Sequence, residues 1–526
     1  MYKLFYNAKI HTLSNSIPLC NTILTLYDRI IYIGNYSDIN LPEYEVQQIN
    51  LRGSYIFPGF IDCHTHLAAF ALAQERIRFD ECKSLAQALE KVKRCIKNYP
   101  EGSWILGTGW NANLWRDGKP HKKYLDDISN VHAMAFYNKD GHTQWLNSLA
   151  LDRCEFMYRL NNLPGGKLGR DEHGILNGLV YEKACEVVDG FSEQVSYEQL
   201  QRCLDKTYHK IHRLGITSVH SCEGLDKFKL FQQLALNNKL KVRICMHPPA
   251  SEATNIIDAG LYSGYGNKWL RLGGMKYFVD GSLGSQTAEM FEPFDNLMHC
   301  GVAVISEQSL ADQIHYAATH GLSATVHAIG DKANNKALNA FEKVTKVDAP
   351  VSLRHRIEHC QILNASDIPR FNELNIIASM QPLHIADDIE LANMYLGKRA
   401  SLTYAIASIL KTGCRVVFGS DMPVADPDPI KGILAAYSRR YNLDAKNPSW
   451  YPEQSIKPFQ ALCAYTRDAA YSSYEENLKG TLEPGKLADF VIISHNITQE
   501  DENTLREATV HMTVQGGRVV YSSDMI

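Results

Sequence analysis

FPGFIDCHTHL (57–67) is a short apolar run that turns polar and ends on two histidines, His64 and His66, two residues apart. In an extended segment, residues i and i+2 face the same way, so both imidazoles can reach one point. Such a pair proves little alone. Its meaning depends on whether the run before it is one strand of a repeating set.

Counting that run as IFPGFID (56–62), the chain holds eight of similar character. The others are ITSVHS (216–221), VRICMH (242–247), LGGMKYFV (272–279), SATVHA (323–328), SLRHRIEH (352–359), IIASMQ (376–381) and RVVFGSD (415–421). Most are separated by stretches with helical periodicity, such as SLADQIHYAATHG (309–321) and DKANNKALNAFEKVTK (331–346). Strands alternating with helices predict an α/β chain, here a (β/α)8 TIM-like barrel built from residues 56–80 and 185–474.

One connection is too long for a simple crossover. Between the first two runs lie a helical pattern (SLAQALEKVKRCIKN, 84–98), two strand patterns (SWILGTGW, 103–110; HAMAFYNK, 132–139) and a glycine-rich stretch (PGGKLGRDEHG, 164–174). These predict an inserted α/β domain over 81–184, near the mouth of the barrel. Both ends of the chain are β-rich: LFYNAKIHTL (4–13) and TLYDRIIYIGN (25–35), then GKLADFVIIS (485–494) and ATVHMTVQGGRVVYSS (508–523), with Gly516-Gly517 as a hairpin turn. Residues 1–55 and 475–526 are expected to form one small β-sandwich domain together.

The 526 residues are 45% hydrophobic and 21% charged, an ordinary globular composition. Fifty-four basic against 58 acidic side chains give a formal charge of −4, which argues against a globally basic nucleic-acid binder or an anionic-membrane binder. The start shows no signal-peptide pattern, and no stretch of about 18 apolar residues suggests a transmembrane helix. Thirteen scattered cysteines without a CxxC pair fit reduced thiols in a cytoplasmic protein. The expected partner is a small molecule, with homodimers open.

The histidine pair has company at other run ends. His327 closes SATVHA, His359 closes SLRHRIEH, Asp421 closes RVVFGSD, and Lys276 lies within the fourth run. In a barrel all strand C-termini meet on one face. Each residue alone has an ordinary explanation: a satisfied buried histidine, an Asx turn, a surface lysine. Their shared placement at strand ends is what argues for a metal site.

The chain resembles the amidohydrolase superfamily, in its YtcJ-like (amidohydrolase 3) branch, which includes N-substituted formamide deformylases. The resemblance rests on FPGFIDCHTHL, GWNANLW (109–115), DGHTQWLNSLAL (140–151), GITSVHSCEG (215–224), KYFVDGSLGSQTA (276–288), HAIGDKANNKAL (327–338), RIEHCQ (356–361), SMQPLH (379–384), FGSDMPV (418–424) and GTLEPGKLADFVI (480–492). They follow the family's order along nearly the whole chain. The resemblance implies a divalent metal, commonly zinc, as one or two ions. His64, His66, His327 and His359 would hold it, with Asp421 close by. Lys276 would be carboxylated on its side-chain nitrogen, bridging two ions; an unmodified lysine beside one ion is the alternative.

His142, with Asn147 five residues on, and His384 look placed for substrate, and His220 ends the second run; a structural hydrogen bond is the alternative for each. Trp110, Trp115 and Trp145 fit either core or pocket wall. The expected reaction is hydrolysis of a non-peptide carbon–nitrogen bond, of amide or N-formyl type. Asp421 would carry the proton from water to the leaving nitrogen, and His142 or His384 would donate to the oxyanion. A deaminase of the same superfamily would place a glutamate shortly after the fifth-run histidine, and HAIGDKAN has none. A metal-free relative acting as an interaction protein would lack ligands that this chain retains.

Overall fold

The computed structural model describes residues 1–15, 19–41, 44–112, 115–139, 143–156, 166–192, 196–295, 297–344 and 349–523. The chain divides into two compact units, Met1–Phe70 with Asp205–Ile526, and Ala71–Leu204.

The larger unit contains two all-parallel sheets. One runs in the order Leu270–Leu272, Arg243–Met246, Ile216–Ser221, Phe60–Thr65; the other runs Met275–Phe278, Ala324–Ala328, Arg356–His359, Ile377–Met380, Val416–Phe418. Their strands are buried along almost their whole length, as expected of parallel strands covered on both faces. Two isolated bridges link the sheets. Thr65 bridges Met422 in parallel register, and Pro249 bridges Lys276. Gly273 and Gly274 divide the run at 272–279 between the two sheets.

Helices follow most of these strands for legible reasons. Glu307–Thr319 starts where the Ser306 hydroxyl accepts from the Ser309 N–H, and it buries Leu310, Ala311, Ile314, Ala317 and Ala318 along one stripe. Asp331–Val344 buries Ala333, Ala337, Ala340, Phe341 and Val344 in the same way.

Strands from both ends of the chain share a six-stranded sheet, ordered Arg518–Ser522, Val510–Gln515, Phe490–Ile493, Tyr55–Pro58, Lys9–His11, Leu19–Cys20. A four-stranded sheet of Arg29–Gly34, Thr22–Leu26, Tyr2–Tyr6 and Val46–Asn50 shares a core with it, built on Phe5, Ile10, Ile23, Ile56, Phe490, Ile492 and Val514. The run at 56–62, read as one strand in the sequence, is therefore two. Tyr55–Pro58 belongs to the terminal sheet and Phe60–Thr65 to the parallel one, with Gly59 between them.

The smaller unit is a six-stranded mixed sheet with helices. It is wider than 81–184, because Ile77–Arg78 pairs with the strand Trp104–Trp110, and Cys185 and Val188 pack into its core. Trp110, Trp115 and Trp145 are core residues there, their rings 6.1–6.4 Å apart. Asn147 caps a helix: its side-chain oxygen accepts from the N–H of Ala150 at 3.0 Å. All 13 cysteines are free, and among the described residues no helix is long and apolar enough to cross a membrane.

Arg243, on a parallel strand, forms a two-pronged ion pair with Asp489, at the start of a terminal-sheet strand; the contacts are 2.6 and 2.8 Å and both groups are buried. Burial opposes ionisation of Asp489, and Arg243 outweighs it, so the carboxyl lies below its ordinary range. The pair thus stabilises above the ordinary aspartate pKa, and its contribution fades as pH falls through the depressed value. Asp489→Ala leaves Arg243 buried and unpaired and is expected to cost about 3–5 kcal/mol at neutral pH. Urea denaturation followed by circular dichroism measures this; a loss below about 1 kcal/mol, the level of an exposed pair, contradicts it.

Candidate metal centre

The site is built on a seam between the first and last parallel strands. Asp62 receives the N–H and the hydroxyl of Ser420 on its two oxygens, at 2.8 and 2.6 Å. The N–H of Asp421 donates to the His64 carbonyl at 2.7 Å, and that of His66 donates to the Met422 carbonyl at 2.9 Å. A β-carbon on Gly419 would lie 2.4 Å from the His64 nitrogen, so only glycine permits this approach. Asp421 itself sits at φ +59° and His359 at φ +72°, in the left-handed region that non-glycine residues seldom adopt. Such backbone persists where the surroundings over-determine it, often at functional sites.

The seam brings one carboxylate against two imidazoles. Oδ1 of Asp421 lies 3.5 Å from Nε2 of His64 and 3.4 Å from Nε2 of His66. The far side of each ring is anchored. Nδ1 of His66 donates to the Cys222 carbonyl at 2.8 Å, and Nδ1 of His64 meets Oε2 of Glu358 at 2.5 Å. Nε2 of His327 donates to the Gly281 carbonyl at 2.9 Å, leaving Nδ1 as its acceptor nitrogen. The His327 ring stands 4.5 Å from that of His359, and the His359 ring 5.1 Å from that of His64. Nζ of Lys276, buried, is 3.4 Å from Nε2 of His64.

Two triads of donors have ligand atoms within 4.8 Å of one another: His64, His66 and Asp421; and His359, His384 and Asp421. Nδ1 of His359 and Nε2 of His384 are buried without a hydrogen-bond partner. Buried polar atoms are normally satisfied, so these two mark a place where something polar belongs. Burial drives the His64 and His359 imidazoles well below their ordinary range, and it takes His327 down to about 4, with Lys276 adding to each shift. All three are therefore neutral, the form that can donate a lone pair. The Asp421 carboxyl lies below its ordinary range and is ionised. Imidazoles around a carboxylate form a donor set suited to a divalent ion.

His220 does not join this set. Its Nδ1 accepts from Nη1 of Arg356 at 3.0 Å, deep among the strands. His142 lies outside the described residues. Sequence reasoning missed Asp62, Asp280, Arg356 and Glu358. Asp280 receives the N–H groups of Ile329, Gly330 and Glu289 at 2.8–3.0 Å, tying the loop that carries Gly281 to the turn after His327. The available signal was a pair of opposite charges two residues apart inside the apolar run SLRHRIEH.

The sequence matches the model of the amidohydrolase family over residues 47–521. The chain belongs to the amidohydrolase family. Protein LONG AFTER FAR-RED 3 of Arabidopsis thaliana is 32% identical, over 98% of this chain and 91% of that protein. N-substituted formamide deformylase of Arthrobacter pascens is 24% identical, over 98% and 97%. The crystal structure of an uncharacterized metal-dependent hydrolase from Pyrococcus furiosus superposes with a TM-score of 0.80 at 26% identity, covering 95% of this chain and all of the other. Family membership carries the reaction class, metal-dependent hydrolysis of a carbon–nitrogen bond.

Replacing His64 and His66 together by Ala removes two of the three donors in the first triad. The purified double variant is expected to be folded and devoid of bound divalent metal. Elemental analysis against the wild-type protein checks this, and an unchanged metal content would exclude the triad as the binding site.

Proposed function

We propose that this amidohydrolase cleaves a non-peptide amide, foremost the N-formyl group of a substituted amine. In this reading the two parallel sheets are a closed (β/α)8 barrel, flanked by a β-sandwich from both termini. His64, His66, His327, His359 and Asp421 hold one or two divalent ions, with zinc the first choice. Lys276, carboxylated on Nζ, would supply a further carboxylate ligand; an unmodified lysine beside one ion is the alternative. The observation that carries the reading is the convergence of His64, His66, His359 and Asp421, remote in sequence, on one imidazole and carboxylate cluster, with His327 and Lys276 beside it. The formamide deformylase similarity supports the N-formyl substrate class.

A divalent ion bound there would acidify water toward neutral pH and polarise the scissile carbonyl. The protein's own groups do the rest. Asp421 is positioned to accept the proton of the attacking water and pass it to the leaving nitrogen, the step that makes an amine a competent leaving group. Nε2 of His384, buried and without a partner, is the donor for the oxygen on which charge develops. His142 is the alternative donor in that role. The anchors behind His64, His66 and His327 keep the rings from turning, so the reacting groups stay preorganised.

Asp421→Asn keeps one oxygen donor and loses the proton acceptor. It is expected to retain metal while kcat falls by about 10²–10⁴. Steady-state hydrolysis with parallel elemental analysis decides this, and a variant turning over at the wild-type rate excludes Asp421 from proton transfer. A panel of N-formyl amines and simple amides tests the substrate class: formate release is the expected result, and no hydrolysis of any member would refute it.

A further inference from the structure

Glu358 is fully buried and immediately precedes His359, yet it faces another strand. Its Oε2 lies 2.5 Å from Nδ1 of His64. Its Oε1 lies 2.5 Å from Nε of Arg356, two residues back and on the same side of the strand, and also buried. Arg356 continues the chain of contacts, donating to Nδ1 of His220 at 3.0 Å and to the Cys63 carbonyl at 3.1 Å. An ion pair this deep is costly to desolvate, and well-packed apolar side chains would often serve stability as well. Stability alone does not account for it.

Its effect on His64 does. A carboxylate can only accept, so the contact with Glu358 puts the imidazole proton on Nδ1 and the lone pair on Nε2. Nε2 is the atom that faces Asp421 and Lys276. The side-chain nitrogen of Gln381 also approaches Nδ1, at 3.5 Å, and as a donor it would favour the opposite tautomer, with Nε2 protonated and unable to bind a cation. The much shorter contact decides between them.

We propose that Glu358 is a positioning residue of the metal centre, fixing the tautomer and orientation of His64, and that Arg356 holds it in place. The assignment rests on the reading of His64 as a metal ligand. Outer carboxylates on ligand histidines raise ligand basicity, and their loss costs about 10–100-fold in metal affinity.

Cobalt(II) titration of chelator-treated protein against a competing chromophoric chelator tests the assignment, with apo-protein melting as the structural control. Glu358→Gln is expected to bind cobalt(II) about 10–100-fold more weakly, with Glu358→Asp recovering part of the loss. The single variant also leaves Arg356 unpaired, so the deciding protein is Arg356→Met with Glu358→Gln. It buries no lone charge and is expected to melt near the wild-type apo-protein while binding cobalt(II) as weakly as Glu358→Gln. Wild-type affinity in that double variant would overturn the proposal with the metal site intact. Undiminished cobalt(II) binding after His64→Ala, or none by the wild type, would bring down the ligand reading and this assignment with it.

Discussion

The contact between Asp62 and Ser420 is the constraint on which the rest of the site depends. It fixes where the last parallel strand stops against the first, and the backbone bonds from Asp421 to His64 and from His66 to Met422 follow from that register. Side chains alternate along a strand, so a slip of one residue would turn Asp421 or the histidine pair to the wrong side. Gly419 is the other half of the same constraint, because any side chain there would strike the His64 backbone. A hydrogen-bonded seam with no tolerance for a β-carbon brings residues 62–66 and 419–422 together as one structural element.

The electrostatics follow from burial. Enclosing imidazoles, a lysine and a carboxylate in a small volume is unfavourable unless the rings are neutral, and burial makes His64, His327 and His359 so. Neutral rings are also the ones that can bind a cation. The environment that makes the cluster costly for the bare protein is thus the one that prepares it for metal. Left-handed backbone at His359 and Asp421 and partnerless nitrogens on His359 and His384 belong to the same trade. Local rules are broken where function requires it, and the surrounding packing offsets the cost.

Much of this was legible in the sequence. Parallel strands buried on both faces read as continuous apolar runs, which is why most of the eight could be found without alternation to guide the eye. His64, His66, His327, His359 and Asp421 could be placed at run ends because each run turns polar where its strand stops. Periodicity gave no reason to cut the run at 56–62, because Gly59 passes the chain from one sheet to another without any change in hydrophobicity. Asn147 was open to a better reading: an asparagine followed by Ser-Leu-Ala starts a helix, and that is the role it has. The tryptophans carried no such mark, since a large aromatic ring suits a core and a pocket wall equally well.

Glu358 was hidden for a different reason. Arg and Glu two residues apart on a strand normally signal a solvated face, and only knowledge that the strand is enclosed reverses the inference. The same two residues then become the most informative in the run. A charge pair with no exposure that reaches two buried histidines, His64 and His220, has a narrow range of uses. The ligands themselves declare a chemistry shared across a superfamily and leave the substrate open. Groups behind the ligands set basicity, tautomer and charge, the properties by which one donor set is tuned to a given metal and reaction. In this chain such a contact lies between strands, from Glu358 to His64, where residues 294 positions apart meet and local sequence carries no trace of the meeting.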